Sequence, residues 1–115
     1  MASTIKFSLS AIEARDLLAS DSNGLSDPYF KIPHSQTGII DITGKKNRTK
    51  TIKKSLNPVW NHTFDVEYFP KLTKILKIEV YDYDTLGSDD QIGSATLTLE
   101  WMRYRGKIFM MGGFL

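Results

Sequence analysis

Alternation of apolar and polar positions, with a period of two, runs through most of the chain. Ile5, Phe7, Leu9 and Ala11 oppose Lys6, Ser8 and Ser10, and Phe30 and Ile32 oppose Tyr29 and Lys31. Trp60, Phe64 and Val66, with His62 on the same side, oppose Asn61, Thr63, Asp65 and Glu67. Leu76, Ile78 and Val80 oppose Lys77, Glu79 and Tyr81, while Ala95, Leu97 and Leu99 oppose Ser94, Thr96 and Thr98. A strand buried on one face reads this way, because successive side chains point to opposite sides of a sheet. Arg48 to Lys53 and Lys107 to Met111 are weaker candidate strands, and Ile39, Ile40 and Ile42 suit a short extra one inside the long connection from Pro33 to Lys46. About seven strands punctuated by Gly, Pro, Asn and Asp predict an antiparallel sandwich. Trp60, Phe7 and Phe64 are expected in its core. The only helical expectation is a turn around Trp101 to Tyr104.

A chain of 115 residues with 41% hydrophobic and 24% charged positions is sized for one folded domain spanning 1–115, which is also compatible with a fragment of a larger protein. No apolar run reaches the ~18 residues of a membrane span, and the N-terminus lacks a signal peptide's layout. With no cysteine, disulfides, thiolate metal sites and cysteine nucleophiles are excluded. Two histidines and no nucleophile-elbow pattern argue against an enzyme. His34 and His62 read as structural residues.

Charge is segregated. Lys45, Lys46, Arg48, Lys50, Lys53 and Lys54 place six cations in ten residues, whereas Asp21 and Asp27 flank one loop and Asp82, Asp84 and Asp90 flank another. In a sandwich these loops can meet at one end, and converging carboxylates repel unless a cation neutralises them. Calcium, with 6 to 8 oxygen ligands in flexible geometry, suits such a set better than magnesium. Aspartates also favour turns on their own account, through local hydrogen bonds. The run from Asp82 to Gly87 imitates an EF-hand opening, but its twelfth position is Gly93 rather than glutamate and strands flank it, so that motif is rejected.

Asp21 to Lys31 (DSNGLSDPYFK), Lys50 to Phe64 (KTIKKSLNPVWNHTF) and Val80 to Gly93 (VYDYDTLGSDDQIG) resemble, in order, the three hallmark stretches of the C2 domain of classical protein kinase C and synaptotagmin. The resemblance implies an all-β, antiparallel eight-stranded sandwich, in the permuted topology with one strand before the first loop. It also implies a calcium-dependent module that binds anionic phospholipid and acts in the cytoplasm at the inner face of membranes. It makes Asp21, Asp27, Asp82, Asp84 and Asp90 the calcium ligands, completed by the backbone carbonyls of Ser20 and Tyr83. Gly87 stands where some members carry a serine that helps hold a further ion, with Asp89 either compensating or simply solvated.

Arg48 and Lys50 share one strand face, a row that attracts anionic headgroups or, equally, discourages edge pairing. Resemblance to protein kinase C makes Tyr29, Lys31, Arg48, Lys50 and Tyr81 a concave site for phosphatidylinositol bisphosphate, beside phosphatidylserine at the loops. Leu25 and Leu86, in otherwise polar loops, are candidates for shallow membrane insertion. The rival function is a calcium-independent phosphoinositide or protein scaffold using the basic face alone.

Overall fold

The computed structural model describes residues 3–17, 24–33, 35–42 and 47–99, and 107–111 as backbone. Within these residues the chain forms seven strands: β1 (Ile5–Arg15), β2 (Pro28–Lys31), β3 (Ile39–Ile42), β4 (Val59–Tyr68), β5 (Ile75–Asp82), β6 (Asp90–Thr98) and β7 (Lys107–Met111). They make two sheets, in the orders β3-β4-β1-β7 and β2-β5-β6. Pairing is antiparallel except between β7 and β1, which run parallel. The expected sandwich is therefore present, with seven of the eight implied strands among the described residues and one strand before the 18–27 segment. The expected turn at Trp101 to Tyr104 lies outside the described residues.

The alternation read along the chain is realised in β4, where Trp60, Phe64, Val66 and Tyr68 are buried and Asn61, Thr63 and Asp65 are exposed. In β5, Leu76, Ile78 and Val80 are fully buried. The inner faces of the sheets meet through Phe30 of β2, whose ring lies 6.0 Å from Trp60 and 5.7 Å from Phe64. Phe7 packs only partly against this core, its ring edge-on to Tyr68 at 5.9 Å. The β1 register shifts between Ala11 and Glu13. Asn61 takes a φ of 49° there, a left-handed conformation that asparagine tolerates better than most residues.

Arg48 to Lys53 does not form a regular strand. The segment runs beside β2, with Thr49 N–H donating to the Phe30 carbonyl at 2.9 Å and Ile32 N–H to the Asn47 carbonyl at 2.9 Å, yet only an isolated bridge joins Lys31 to Arg48. The cause is the buried Thr49 side chain, whose Oγ1 accepts the Phe30 N–H at 3.0 Å in place of a ladder carbonyl. β2 itself stops short because Pro33 has no N–H to give. Gln36 supplies the missing pairing: its side-chain Oε1 accepts Lys77 N–H at 2.7 Å and its Nε2 donates to the Lys77 and Pro33 carbonyls at 3.0 and 2.8 Å. The entry to β3 requires Gly38, which has a φ of 81° and where a Cβ would collide with Thr73 Oγ1.

Candidate functional site

The three-stranded sheet brings the acidic loops to one end. β2 starts immediately after Asp27, β5 ends at Asp82 and β6 starts at Asp90. Across the strands Pro28 pairs with Asp82 and Asp82 with Asp90, so Asp27, Asp82 and Asp90 lie abreast. Asp82 is buried, and its Oδ1 accepts the backbone N–H of Asp27 at 2.7 Å. Tyr83 N–H donates to the Asp27 carbonyl at 3.0 Å. Asp27 Oδ1 in turn accepts Lys54 N–H at 2.7 Å, drawing the 52–55 turn onto the site. That turn is clamped further by Ser55 N–H on the Ser26 carbonyl at 2.8 Å, and by Ile52 N–H and the Trp60 indole N–H, both donating to the Pro28 carbonyl. The 52–55 turn and Trp60 are thus the brace of the aspartate end.

Asp84 lies beyond the sheet, its Oδ1 accepting Leu86 N–H at 2.8 Å in a local turn. Asp90 is exposed. Ser20 and Asp21 lie outside the described residues. Among the described residues no three carboxylates are close enough to form a ready metal cage. The donor chemistry nonetheless fits a hard cation: the acids are all carboxylates, and no sulfur or imidazole stands among them. Backbone N–H bonds orient Asp27, Asp82 and Asp84, and a carboxylate has roughly four lone-pair sites. Leu86, at the tip of this loop, is 96% exposed, whereas Leu25 is half-buried. Tyr83, expected to contribute only its carbonyl, also exposes its ring at 41%.

On the outer face of the same sheet, Tyr29 and Tyr81 are cross-strand partners with rings stacked at 5.6 Å and 17°. The Arg48 guanidinium lies 3.4 Å over the Tyr29 ring, and Lys31 Nζ lies 5.6 Å from the Tyr81 centroid. Arg48 is held in place by Nη2 donating to Thr51 Oγ1 at 2.7 Å and Nε to the Thr49 carbonyl at 3.2 Å. Four of the five expected lipid contacts therefore form one cation-aromatic surface. Lys50 is exposed beside it and joins Arg48, Asn47, Trp60, His62 and Tyr83 in lining an open groove of about 810 Å³.

Two acids on this face make contacts that the sequence reading did not give them. Glu79, the cross-strand partner of Lys31, is buried, accepts the Tyr81 hydroxyl at 3.1 Å and lies 3.8 Å from Lys77 Nζ. Its signal was its place on the outward alternation opposite a lysine. Asp89 is not merely solvated: Oδ2 accepts the Tyr29 hydroxyl and Oδ1 accepts Asp84 N–H at 2.9 Å. Burial, reinforced by the bond to Asp89, pushes the Tyr29 phenol far above its ordinary range, so it stays a donor. Burial, then the bond to Glu79, raises Tyr81 as well.

Comparison with known proteins places this geometry. The C2 domain model matches residues 6–108. The chain is 43% identical over 90 residues to protein kinase C, eye isozyme, of Drosophila melanogaster, covering 76% of this chain and 12% of that protein. It is 40% identical over 96 residues to synaptotagmin-1 of Aplysia californica, covering 82% of this chain and 21% of that protein. The calcium-bound C2A and C2B domains of extended-synaptotagmin 2 superimpose with a TM-score of 0.62 at 29% identity, over 86% of this chain and 36% of that one. The chain thus spans less than a quarter of the length of either sequence relative, and the rest of those proteins has no counterpart in it. The match over nearly its whole length makes this chain a member of the C2 domain family.

Proposed function

We propose that the domain binds anionic phospholipid membranes in a calcium-dependent manner. The observation that carries this reading is the alignment of Asp27, Asp82 and Asp90 at one sheet end, beneath a loop whose tip, Leu86, is almost fully exposed. Asp21, Asp27, Asp82, Asp84 and Asp90 would hold calcium, with the carbonyls of Ser20 and Tyr83 completing the set. Bound calcium would cancel the carboxylate charge and offer coordination positions to lipid phosphate oxygens. Leu86 would enter the bilayer below the headgroups. The Arg48, Tyr29, Tyr81 and Lys31 surface, with Lys50, would meet phosphatidylinositol bisphosphate while the loops engage phosphatidylserine. A structural neighbour, extended-synaptotagmin 2, is known in calcium-bound form, which supports the cation assignment.

On this reading the domain is a targeting module of the cytoplasm, recruited to inner membrane faces, and it contributes binding rather than catalysis to whatever accompanies it. The same reading assigns the permuted topology, with β1 as the single strand before the first aspartate loop. A second reading, calcium-independent docking through the basic face, is favoured by one observation: that face is already assembled, with Arg48 stacked and tethered, whereas among the described residues the carboxylates are not gathered into a cage. Thermal unfolding with calcium, with magnesium and with chelator separates the two. Calcium at a hundredfold excess over its dissociation constant should stabilise the fold by about 2.7 kcal/mol, with much less from magnesium. Superimposable curves would leave only the second reading.

A further inference from the structure

Asp89 is built into the basic-aromatic face by hydrogen bonds to both carboxylate oxygens. Tyr29, whose ring carries the Arg48 guanidinium, donates its hydroxyl to Oδ2, and the backbone of Asp84 donates to Oδ1. The negative charge is therefore fixed beside Arg48 rather than swinging in solvent. An incoming phosphate must compete with this carboxylate for the same cations.

We propose that Asp89 is a resident counter-anion that holds down the affinity of the Arg48–Tyr29–Lys31 face for polyphosphorylated headgroups, so that this face alone docks the domain only weakly. The inference rests on the reading of that face as a phosphoinositide site. Asp89 acts through Arg48 and Lys31, and is therefore a positioning residue of the surface rather than a contact of the ligand. Neutralising it should produce a gain in binding, which damage to the fold would not.

The test is binding, in chelator, to phosphatidylcholine vesicles containing phosphatidylinositol bisphosphate. Asp89→Asn keeps an acceptor oxygen for the Asp84 N–H and turns its amide NH2, a donor, toward the Tyr29 hydroxyl oxygen, and should bind about fivefold more tightly, as expected for the removal of one opposing charge near the surface. Asp89→Ser should shift affinity in the same direction. Asp65→Asn, which removes the same charge from the exposed face of β4, should gain much less. The Asp89→Asn gain should vanish in an Arg48→Ala background. Soluble inositol trisphosphate should rank the variants in the same order, because the carboxylate opposes phosphate with or without a bilayer. Unchanged or weaker binding by both Asp89 variants would overturn the proposal. So would an equal gain from Asp65→Asn, a gain that persists without Arg48, or a gain confined to vesicles. If Arg48→Ala binds as tightly as the unmodified domain, the reading of the face as a phosphoinositide site falls as well. Loss on Arg48→Ala without gain on Asp89→Asn overturns the role of Asp89 alone.

Discussion

The backbone N–H of Asp27 donates to Oδ1 of Asp82 at 2.7 Å, so the acid that closes one acidic loop and the acid that opens the other are tied together. Asp82 is only 3% exposed, which makes this a bond between a structural donor and a site residue. Asp82→Asn retains a carbonyl oxygen for the Asp27 N–H and should fold with little loss, while sharply weakening calcium stabilisation. Asp82→Ala leaves that donor without its partner and should also cost about 1–3 kcal/mol in the absence of any metal. Urea unfolding of both variants in chelator, followed by calcium titration, checks the separation of the two roles.

Gln36 substitutes for a strand that Pro33 cannot continue. Gln36→Ala removes three hydrogen bonds, two of them to the backbone of Lys77, at a partly exposed edge where water replaces some of the loss. The expected cost is about 1–2 kcal/mol, a drop of several degrees in Tm for a domain of this size. Amide exchange at Lys77 should accelerate more than exchange at Val80 in the middle of the same strand.

Burial lowers the pKa of the His62 imidazole, whose ring lies 4.5 Å from that of Phe64. The unfolded chain then binds a proton at this residue more readily than the folded one, so stability rises with pH through the window just below the ordinary value of about 6.5 and is lost as pH falls through it. His62→Phe cannot titrate. Its stability relative to the unmodified domain should improve as pH falls from about 7 to 5. Denaturant curves at those pH values should show that narrowing, and a constant difference would contradict a histidine held neutral.

Leu86 touches no core residue cluster and is 96% exposed, so Leu86→Ala should leave unfolding unchanged. It should instead speed dissociation from calcium-loaded phosphatidylserine vesicles by roughly fivefold to tenfold, reflecting the loss of inserted apolar area. Stopped-flow dilution into chelator-free buffer with excess empty vesicles measures this directly.

What could be read along the chain was what depends on nearest neighbours. The alternation of Trp60, Phe64 and Val66 against Asn61, Thr63 and Asp65 placed β4 and its buried face, because a strand's period leaves only one side for the core. The alignment of Asp27, Asp82 and Asp90 followed from strand ends. Arg48 to Lys53 misled because its composition suits a strand, while the interruption comes from the Thr49 hydroxyl reaching Phe30, nineteen positions back in sequence. Asp89 was illegible for a similar reason: its hydrogen-bond donor, Tyr29, is 60 residues away and becomes its neighbour only when β2 pairs with β5. Glu79 alternated outward like a solvated residue, yet it is buried, with its carboxylate against the Tyr81 hydroxyl and Lys77 Nζ. The parallel pairing of β7 with β1 likewise has no local signature.

The most direct measurement is co-sedimentation with phosphatidylserine vesicles across a calcium titration, with Asp84→Asn run beside the unmodified domain. Among the described residues the Asp84 side chain accepts a local turn bond from Leu86 N–H and packs into no core, so this variant should keep the fold while losing a central carboxylate. The expected result is saturable, calcium-dependent binding that chelator reverses and that Asp84→Asn loses. Equal binding in calcium and in chelator, or an undiminished calcium response in Asp84→Asn, would contradict calcium-triggered membrane docking through these aspartates.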